Sequence, residues 1–431
     1  MGLYLYTKGW STALGEKNLG SDRILDRGRA FLEDSVACSE CIGRYQGGQT
    51  LPAFVRERPD FVGIETGMAL AEGKAYIVVA GNGGSIRNVW ALYRALAGTA
   101  AERELHLLDG TDPSGLFGEL VAGGGRFRPE NTLIVSVSKS GNTGNVVQET
   151  RLLAERGYSV LAIIGPGPSE LTALAEEKGF DRFLHPDEVG GRFTAGQNSV
   201  LLPFSLALGG TDMARAVNAA FEKAHLRLAP SISPDANMAK ALALELWHAE
   251  LGGYTELFLP VYCKALSGLG ELVVQLVHES YCKSGKGQTV IFAEAPECQH
   301  HTNQRYFGGR RNMGALSIRV KSYENDTALR EDVSASDFLD LEHAGVAADA
   351  DRRGTPHMTL TLDILGSEDV TFAIALWQWV AVYGGLLRKV NPFDQPSVEG
   401  SKRTTAEMFE GFNPSARDTL GKFTREASHT L

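Results

Sequence analysis

Two short segments of this sequence carry residue types suited to holding a small anion. Gly81-Asn82-Gly83-Gly84-Ser85 follows the apolar run AYIVVA. Its glycines let a backbone approach a ligand closely, and Ser85 adds a hydroxyl at a helix start. Ser138-Lys139-Ser140-Gly141-Asn142-Thr143 crowds hydroxyls, a lysine and a glycine between a strand and a helix. Each has a plainer reading: a tight turn for the first, N-capping by Ser or Thr for the second. Two such loops in one sheet favour the anion, held by free amides and the positive end of a helix dipole. Neither is a nucleotide signature. The third glycine of the dinucleotide fingerprint is missing, with Ile86 and Asn88 nearby, and no GxxxxGK[ST] pattern occurs. Cys38-Ser-Glu-Cys41 has redox or zinc spacing but no second pair, and it sits in a helical pattern. Cys282, Cys298, His300 and His301 form the other set with metal-ligating chemistry.

The elements that must position these loops are legible from hydrophobic period. ILDRGRAFLEDSVACSECI repeats apolar residues at three and four, which predicts a helical lead-in over residues 22–70. AYIVVAG, LHLLDG, TLIVSVS and SVLAIIG are then short apolar runs alternating with helical patterns. That alternation implies a doubly wound parallel sheet covered on both faces. A second alternation begins near residue 235, with strands at TELFLPVY, QTVIFAEA, ALSIRVKSY and TLTLDIL. VTFAIALWQWVAVYGGLLRKV reads as a long buried helix rather than a membrane element, and residues 324–354 as a polar excursion. The expected organisation is α/β. A helical N-terminal extension (1–70) precedes two doubly wound parallel-sheet domains (71–230 and 231–398), and a C-terminal helical segment (399–431) follows.

With 431 residues, the chain is long enough for two cores. Its hydrophobic content of 43% and charged content of 22% are those of a globular protein. A formal charge of −10 argues against nucleic acid or an anionic membrane surface as partner. It leaves room for a small anionic substrate in one locally positive pocket. The start lacks a basic stretch followed by an apolar region, and no run approaches ~18 apolar residues. Five scattered cysteines are the pattern of reduced thiols, so the expected location is cytoplasmic.

Six ordered segments, over about residues 79–402, resemble the glucose-6-phosphate isomerase family in its bacterial version. They are the two loops above, EVGGRFTAGQNSVLLPF (188–204), QLVHESYCK (275–283), CQHHTNQRYFGGRRN (298–312) and VNPFDQPSVEGSK (390–402). The resemblance implies that both α/β domains are of the sugar-isomerase (SIS) type. It also implies a homodimer with shared active sites, no cofactor, no metal, and a place in carbohydrate metabolism (glycolysis and gluconeogenesis). Carried over residue by residue, it makes Glu279 the base of an enediol step and Arg192 the stabiliser of the intermediate. His300, reaching in from the neighbouring subunit, and Lys402 assist ring opening, while Gln395 binds near the sugar. Gly84, Ser85, Ser138, Ser140 and Thr143 hold the phosphate, with Lys139 beside them.

The chemistry suits those residue types. Moving a carbonyl from carbon 1 to carbon 2 takes a proton from one carbon and returns it to the next. One carboxylate on one face can do both. A fixed guanidinium stabilises the oxyanion as it develops. A histidine and a lysine can open the ring, and tight binding of the remote anion holds the open chain in place.

Some positions depart from the family pattern. Asn145 stands where the phosphate loop has a glutamate, Ile86-Arg87-Asn88 where Leu-Gly is usual, and His301 where Ser is usual. The expected activity is therefore the aldose–ketose isomerisation of glucose 6-phosphate and fructose 6-phosphate. Two alternatives stand beside it. One is the same chemistry on a 6-deoxy-6-sulfo sugar or mannose 6-phosphate, and the other is a non-catalytic sugar-phosphate-binding SIS protein.

Overall fold

The computed structural model describes residues 2–15, 22–98 and 100–411. The part of the C-terminal segment beyond 411 lies outside the described residues. The chain divides into two compact units, Met1–Phe393 and Asp394–Leu431.

The first unit contains twelve strands among its described residues. In chain order they are β1 (Leu3–Tyr6), β2 (Tyr76–Ala80), β3 (Glu104–Leu108), β4 (Thr132–Ser138), β5 (Ser159–Ile164) and β6 (Asp181–Leu184). The others are β7 (Glu256–Val261), β8 (Thr289–Glu294), β9 (Met313–Val320), β10 (Ala328–Arg330), β11 (Val333–Ser334) and β12 (His357–Leu362). One sheet has the order β3-β2-β4-β5-β6 and is parallel throughout. Its central strands are near-continuous apolar runs because both faces are covered by helices. All seven residues of β4 are buried. The second sheet has the order β1-β12-β9-β7-β8 and is parallel except for β1.

The two sheets share a winding. Each starts at an inner strand, β2 or β7, moves to one side, β3 or β8, and returns on the other, β4 or β9. That reversal opens a crevice at the carboxyl ends of the inner pair, where open α/β sheets take their ligands. The loops 81–85 and 139–143 leave β2 and β4 and so flank the crevice of the first sheet.

The N-terminal extension is not helical throughout. Leu3 and Leu5 point inward while Tyr4 and Tyr6 face solvent, and this alternation lets β1 pair antiparallel with β12, Leu3 opposite Leu362. The polar excursion forms the small β10–β11 hairpin and the helix Ala335–Arg353. A reciprocal Ser334–Asp337 capping box starts that helix. The long apolar helix Ser367–Arg388 is apolar all round because it is buried all round: Trp377 and Trp379 are both 0% exposed. Among the described residues it alone has the length and composition to cross a membrane, and it lies wholly inside the fold.

In the second unit, the described residues form the short turn Pro396–Val398 and the helix Glu399–Glu410.

Candidate active site

The first glycine loop is shaped by what it touches. Gly83 adopts φ +59°, and the helix Gly84–Leu96 begins at once behind it without a side-chain cap. A Cβ on Gly84 would lie 2.1 Å from the Arg192 backbone nitrogen, so only glycine lets this helix start abut the turn at 190–194. Asn88 secures the same junction. Its amide nitrogen donates to the carbonyls of Gly84 (2.6 Å) and Gly191 (3.0 Å). Ser85 is buried in the first turn, and among the described residues its hydroxyl bonds to no protein group.

The second loop settles the choice between capping and an open helix end. Thr143 occupies the N-cap of the helix Gly144–Glu155 but makes no capping bond. Its hydroxyl shares a hydrogen bond with Ser138 Oγ instead, at 2.9 Å, and the Gly141 amide donates to Ser138 Oγ at 3.1 Å. The first-turn amides therefore keep their outward donors, beside the positive end of the helix dipole. Ser140 Oγ accepts from the Asn142 amide at 3.2 Å. Burial lowers the pKa of the Lys139 ammonium, and Asp187 partly offsets the effect. His185, buried at the end of β6, is pushed down to about 4, mainly by burial and further by the Lys139 charge.

Glu279 lies in the last turn of the helix Ser267–Tyr281, with Gln275 one turn before it. Gln275 Nε2 donates to Glu279 Oε1 at 2.8 Å, and Arg192 Nη1 donates to Glu279 Oε2 at 3.1 Å. Two further guanidinium donors reach Ser280 Oγ (Nε, 2.8 Å) and the Pro392 carbonyl (Nη2, 2.6 Å), over the Phe193 ring at 4.9 Å. Arg192 is almost fully buried, with 1% of its side chain exposed, whereas the Glu279 side chain keeps 25%. A guanidinium held at three points presents a fixed charge to a carboxylate that a ligand can still reach.

The same loops meet this pair. The position a Cβ would take on Gly83 is 2.9 Å from Gln275 Nε2, and Gly84 touches Arg192. The fold thus joins Gly84, Ser85, Arg192 and Glu279 in one neighbourhood at the crevice of the first sheet, with Ser138 and Thr143 across the switch point. His300 is exposed in the turn Glu297–His300 that follows β8, and hydrogen-bonds to none of them. In the second unit, Lys402 is exposed and pairs with Glu399 at 3.0 Å, and Gln395 is half-buried ahead of the same helix. Among the described residues, no three His, Cys, Asp or Glu side chains gather as a metal site. Cys38 and Cys298 are buried, and burial raises both thiols to about 11.

Gln275, Ser280 and Asn88 are functional candidates that the sequence reading passed over. Gln275 had a signal, because a spacing of four places it beside Glu279 on one helix face. Ser280 had one too, standing next to Glu279 in the segment QLVHESYCK, whereas Asn88 had none, since its partner Gly191 is 103 residues away.

No family model matches the chain. It is 28% identical over 388 residues to a glucose-6-phosphate isomerase of Rubrobacter xylanophilus, covering 82% of this chain and 88% of the relative. A probable glucose-6-phosphate isomerase of Methanococcus maripaludis is 24% identical over 354 residues, 78% of each chain. Among solved structures, a glucose-6-phosphate isomerase from Chlamydia trachomatis has a TM-score of 0.76 at 19% identity, over 94% of this chain and 90% of that one. A hypothetical protein from Thermus thermophilus has a TM-score of 0.73 at 22% identity, over 95% and 100%. The solved structures establish the fold, which is the double SIS architecture of phosphosugar isomerases. The curated relatives add that most of the chain is similar in sequence to glucose-6-phosphate isomerases.

Proposed function

We propose that the protein is an aldose–ketose isomerase that interconverts glucose 6-phosphate and fructose 6-phosphate. The observation that carries this reading is the buried Arg192 guanidinium against the accessible Glu279 carboxylate, beside two loops that offer helix amides to an anion. The phosphate sits on Gly84, Ser85, Ser138, Ser140 and Thr143 with Lys139 alongside, which anchors the open chain. Glu279 removes the proton from carbon 2 and returns it to carbon 1, giving a cis-enediol between the two steps. Arg192 stabilises the charge on the enediolate oxygen, and Gln275 orients the carboxylate from the other side.

His300 and Lys402 open the ring, and Gln395 contacts the sugar. Exposure of His300 in a single chain supports a homodimer in which this side chain completes the partner's site. The five unpaired thiols fit a reducing, cytoplasmic setting and a role in central carbohydrate metabolism. The deciding experiment offers purified protein a panel of C6-anionic aldoses and follows ketose formation. Conversion of glucose 6-phosphate is expected. Conversion of only a sulfonate sugar or mannose 6-phosphate would replace the substrate, and no conversion of any would remove the activity.

A further inference from the structure

Glu149 is fully buried in the helix Gly144–Glu155, and its Oε2 has no hydrogen-bond partner among the described residues. Its Oε1 lies 3.1 Å from the side-chain amide of Asn145, one turn earlier. Asn145 in turn meets Asn82, of the loop after β2, at 2.6 Å. This Asn82–Asn145–Glu149 chain links the two anion loops.

The amides can be oriented by counting donors and acceptors, since side-chain O and N are told apart by their partners. Asn82 satisfies both ends of its amide only with nitrogen toward the carbonyls of Gly81 (3.1 Å) and Asp109 (3.2 Å). Its oxygen then faces Asn145. The Asn145 atom 2.6 Å away must be the amide nitrogen, because two oxygens cannot sit at that distance without a proton between them. That turns the Asn145 oxygen toward Glu149 Oε1. Two buried oxygens facing each other at 3.1 Å repel unless a hydrogen lies between them, and only the carboxyl group can supply one.

We propose that Glu149 is a positioning residue that acts in its protonated form and, through Asn145 and Asn82, ties the loop after β2 to the loop after β4. The assignment deepens the sugar-phosphate reading, on which it rests for the nature of the natural ligand. It assigns a role to the departure at position 145. A neutral amide faces the anion, and the acid is one turn deeper, out of water and uncharged.

The surroundings agree. Burial raises the Glu149 carboxyl to about 7, with further help from the Asp109 charge, and the one opposing contribution, a hydrogen bond donated by Asn145, is lost once the Asn145 oxygen faces the carboxyl. Asp109 is met by Arg87 at 3.5 Å. β2, β4 and β5 bring no charged side chain to the helix. The flanking helices bring Glu119 and Glu177, which pair at the surface with Arg126 and Arg151. As pH rises through about 7 the carboxyl ionises. The chain then loses its bridging hydrogen, and a negative charge forms under the anion loops, so anion affinity falls.

Sulfate is the probe, because its charge does not change over this pH range. Its affinity is read by calorimetry and by protection against thermal unfolding at pH 6 and pH 8.5. Wild type should bind sulfate about fivefold more weakly at the higher pH. Glu149→Gln, whose amide donates to Asn145 without titrating, should bind as wild type does at pH 6 and keep that affinity at pH 8.5. Glu149→Ala should bind weakly at both. Three results overturn the proposal: Glu149→Ala binding within twofold of wild type, Glu149→Gln sharing the wild-type pH slope, or no sulfate binding by wild type. Turnover of hexose 6-phosphate by wild type is measured alongside. Expected sulfate behaviour without turnover removes the isomerase reading and leaves this one, and turnover without Glu149 dependence does the reverse.

Discussion

Arg192 and Glu279 are 87 residues apart in sequence, and their charged ends are 3.1 Å apart in the fold. The pair is asymmetric. The guanidinium is immobilised by Ser280, Pro392 and the Phe193 ring, while the carboxylate stays open to solvent on one side. Such an arrangement suits a group that exchanges protons facing one that never does, because arginine stays charged at every working pH. Each partner can be tested separately.

Replacing the proposed base by its amide keeps the shape and one accepting oxygen but removes the proton acceptor. Glu279→Gln should lower kcat by about 10³-fold while substrate binding stays within about tenfold. Ketose formation reports the first quantity and competitive inhibition by a non-isomerisable sugar phosphate the second. A variant that retained most of its turnover would remove Glu279 from the chemistry.

Arg192→Lys keeps the charge and discards the fork. A lysine cannot reach Ser280, Pro392 and Glu279 together, and the Pro392 carbonyl loses its buried donor. We expect kcat to fall about 10²-fold and stability by about 1–3 kcal/mol, measured by turnover and urea unfolding. Full activity in this variant would mean that the geometry around Arg192 is structural only.

Gly84→Ala tests the junction between the glycine loop and the 190–194 turn. The added methyl meets backbone atoms of Gly191 and Arg192 at 2.1–2.4 Å, and neither can swing aside as a side chain would. The variant should lose about 2–3 kcal/mol and most of its affinity for anions, seen as a lower Tm and a raised KM. Gly144→Ala, where a Cβ meets nothing within 4 Å, is the matched control and should behave as wild type.

Acid should destabilise the protein through two buried histidines. Burial pushes His185 down to about 4 and His225 to about 3, from an ordinary value of 6.5. His225 is neutral among Phe54, Phe221 and Trp379, and its Nδ1 accepts from Trp379 Nε1 at 3.2 Å. Below pH 6.5 the unfolded chain takes up protons that the folded chain refuses. Stability is therefore full above that value and falls as pH drops toward 4, by roughly 3 kcal/mol per histidine. Urea unfolding from pH 7.5 to pH 4.5 should show this loss, and His185→Asn combined with His225→Phe should flatten it. An unchanged slope would assign the acid sensitivity to carboxylates.

Much of the architecture was legible because it is locally encoded. AYIVVA and TLIVSVS are apolar without alternation, as buried parallel strands must be, and each runs into a glycine- or serine-rich loop. The strands that escaped notice are two sheet edges, β1 and β6, and the small β10–β11 hairpin. β1 alternates over only four residues, and β6 (DRFL) is mostly exposed, so neither carries a strong period. Both form because a neighbouring strand offers its unpaired edge.

By itself, the sequence determined which residue types stand at which strand ends, and therefore that two loops suited to an anion, a glutamate and an arginine were available. Only the tertiary structure decided what each side chain does there. Thr143 has the chemistry of an N-cap and would cap an isolated helix. In the fold, Ser138 at the end of β4 competes for its hydroxyl and wins, which leaves the helix amides open. Glu149 would be an ordinary helix carboxylate in water. Beneath Asn145, between a sheet and its covering helices, it has no solvent to stabilise its charge. Hydrogen-bond competition and desolvation depend on neighbours distant in sequence, so no local pattern contains them.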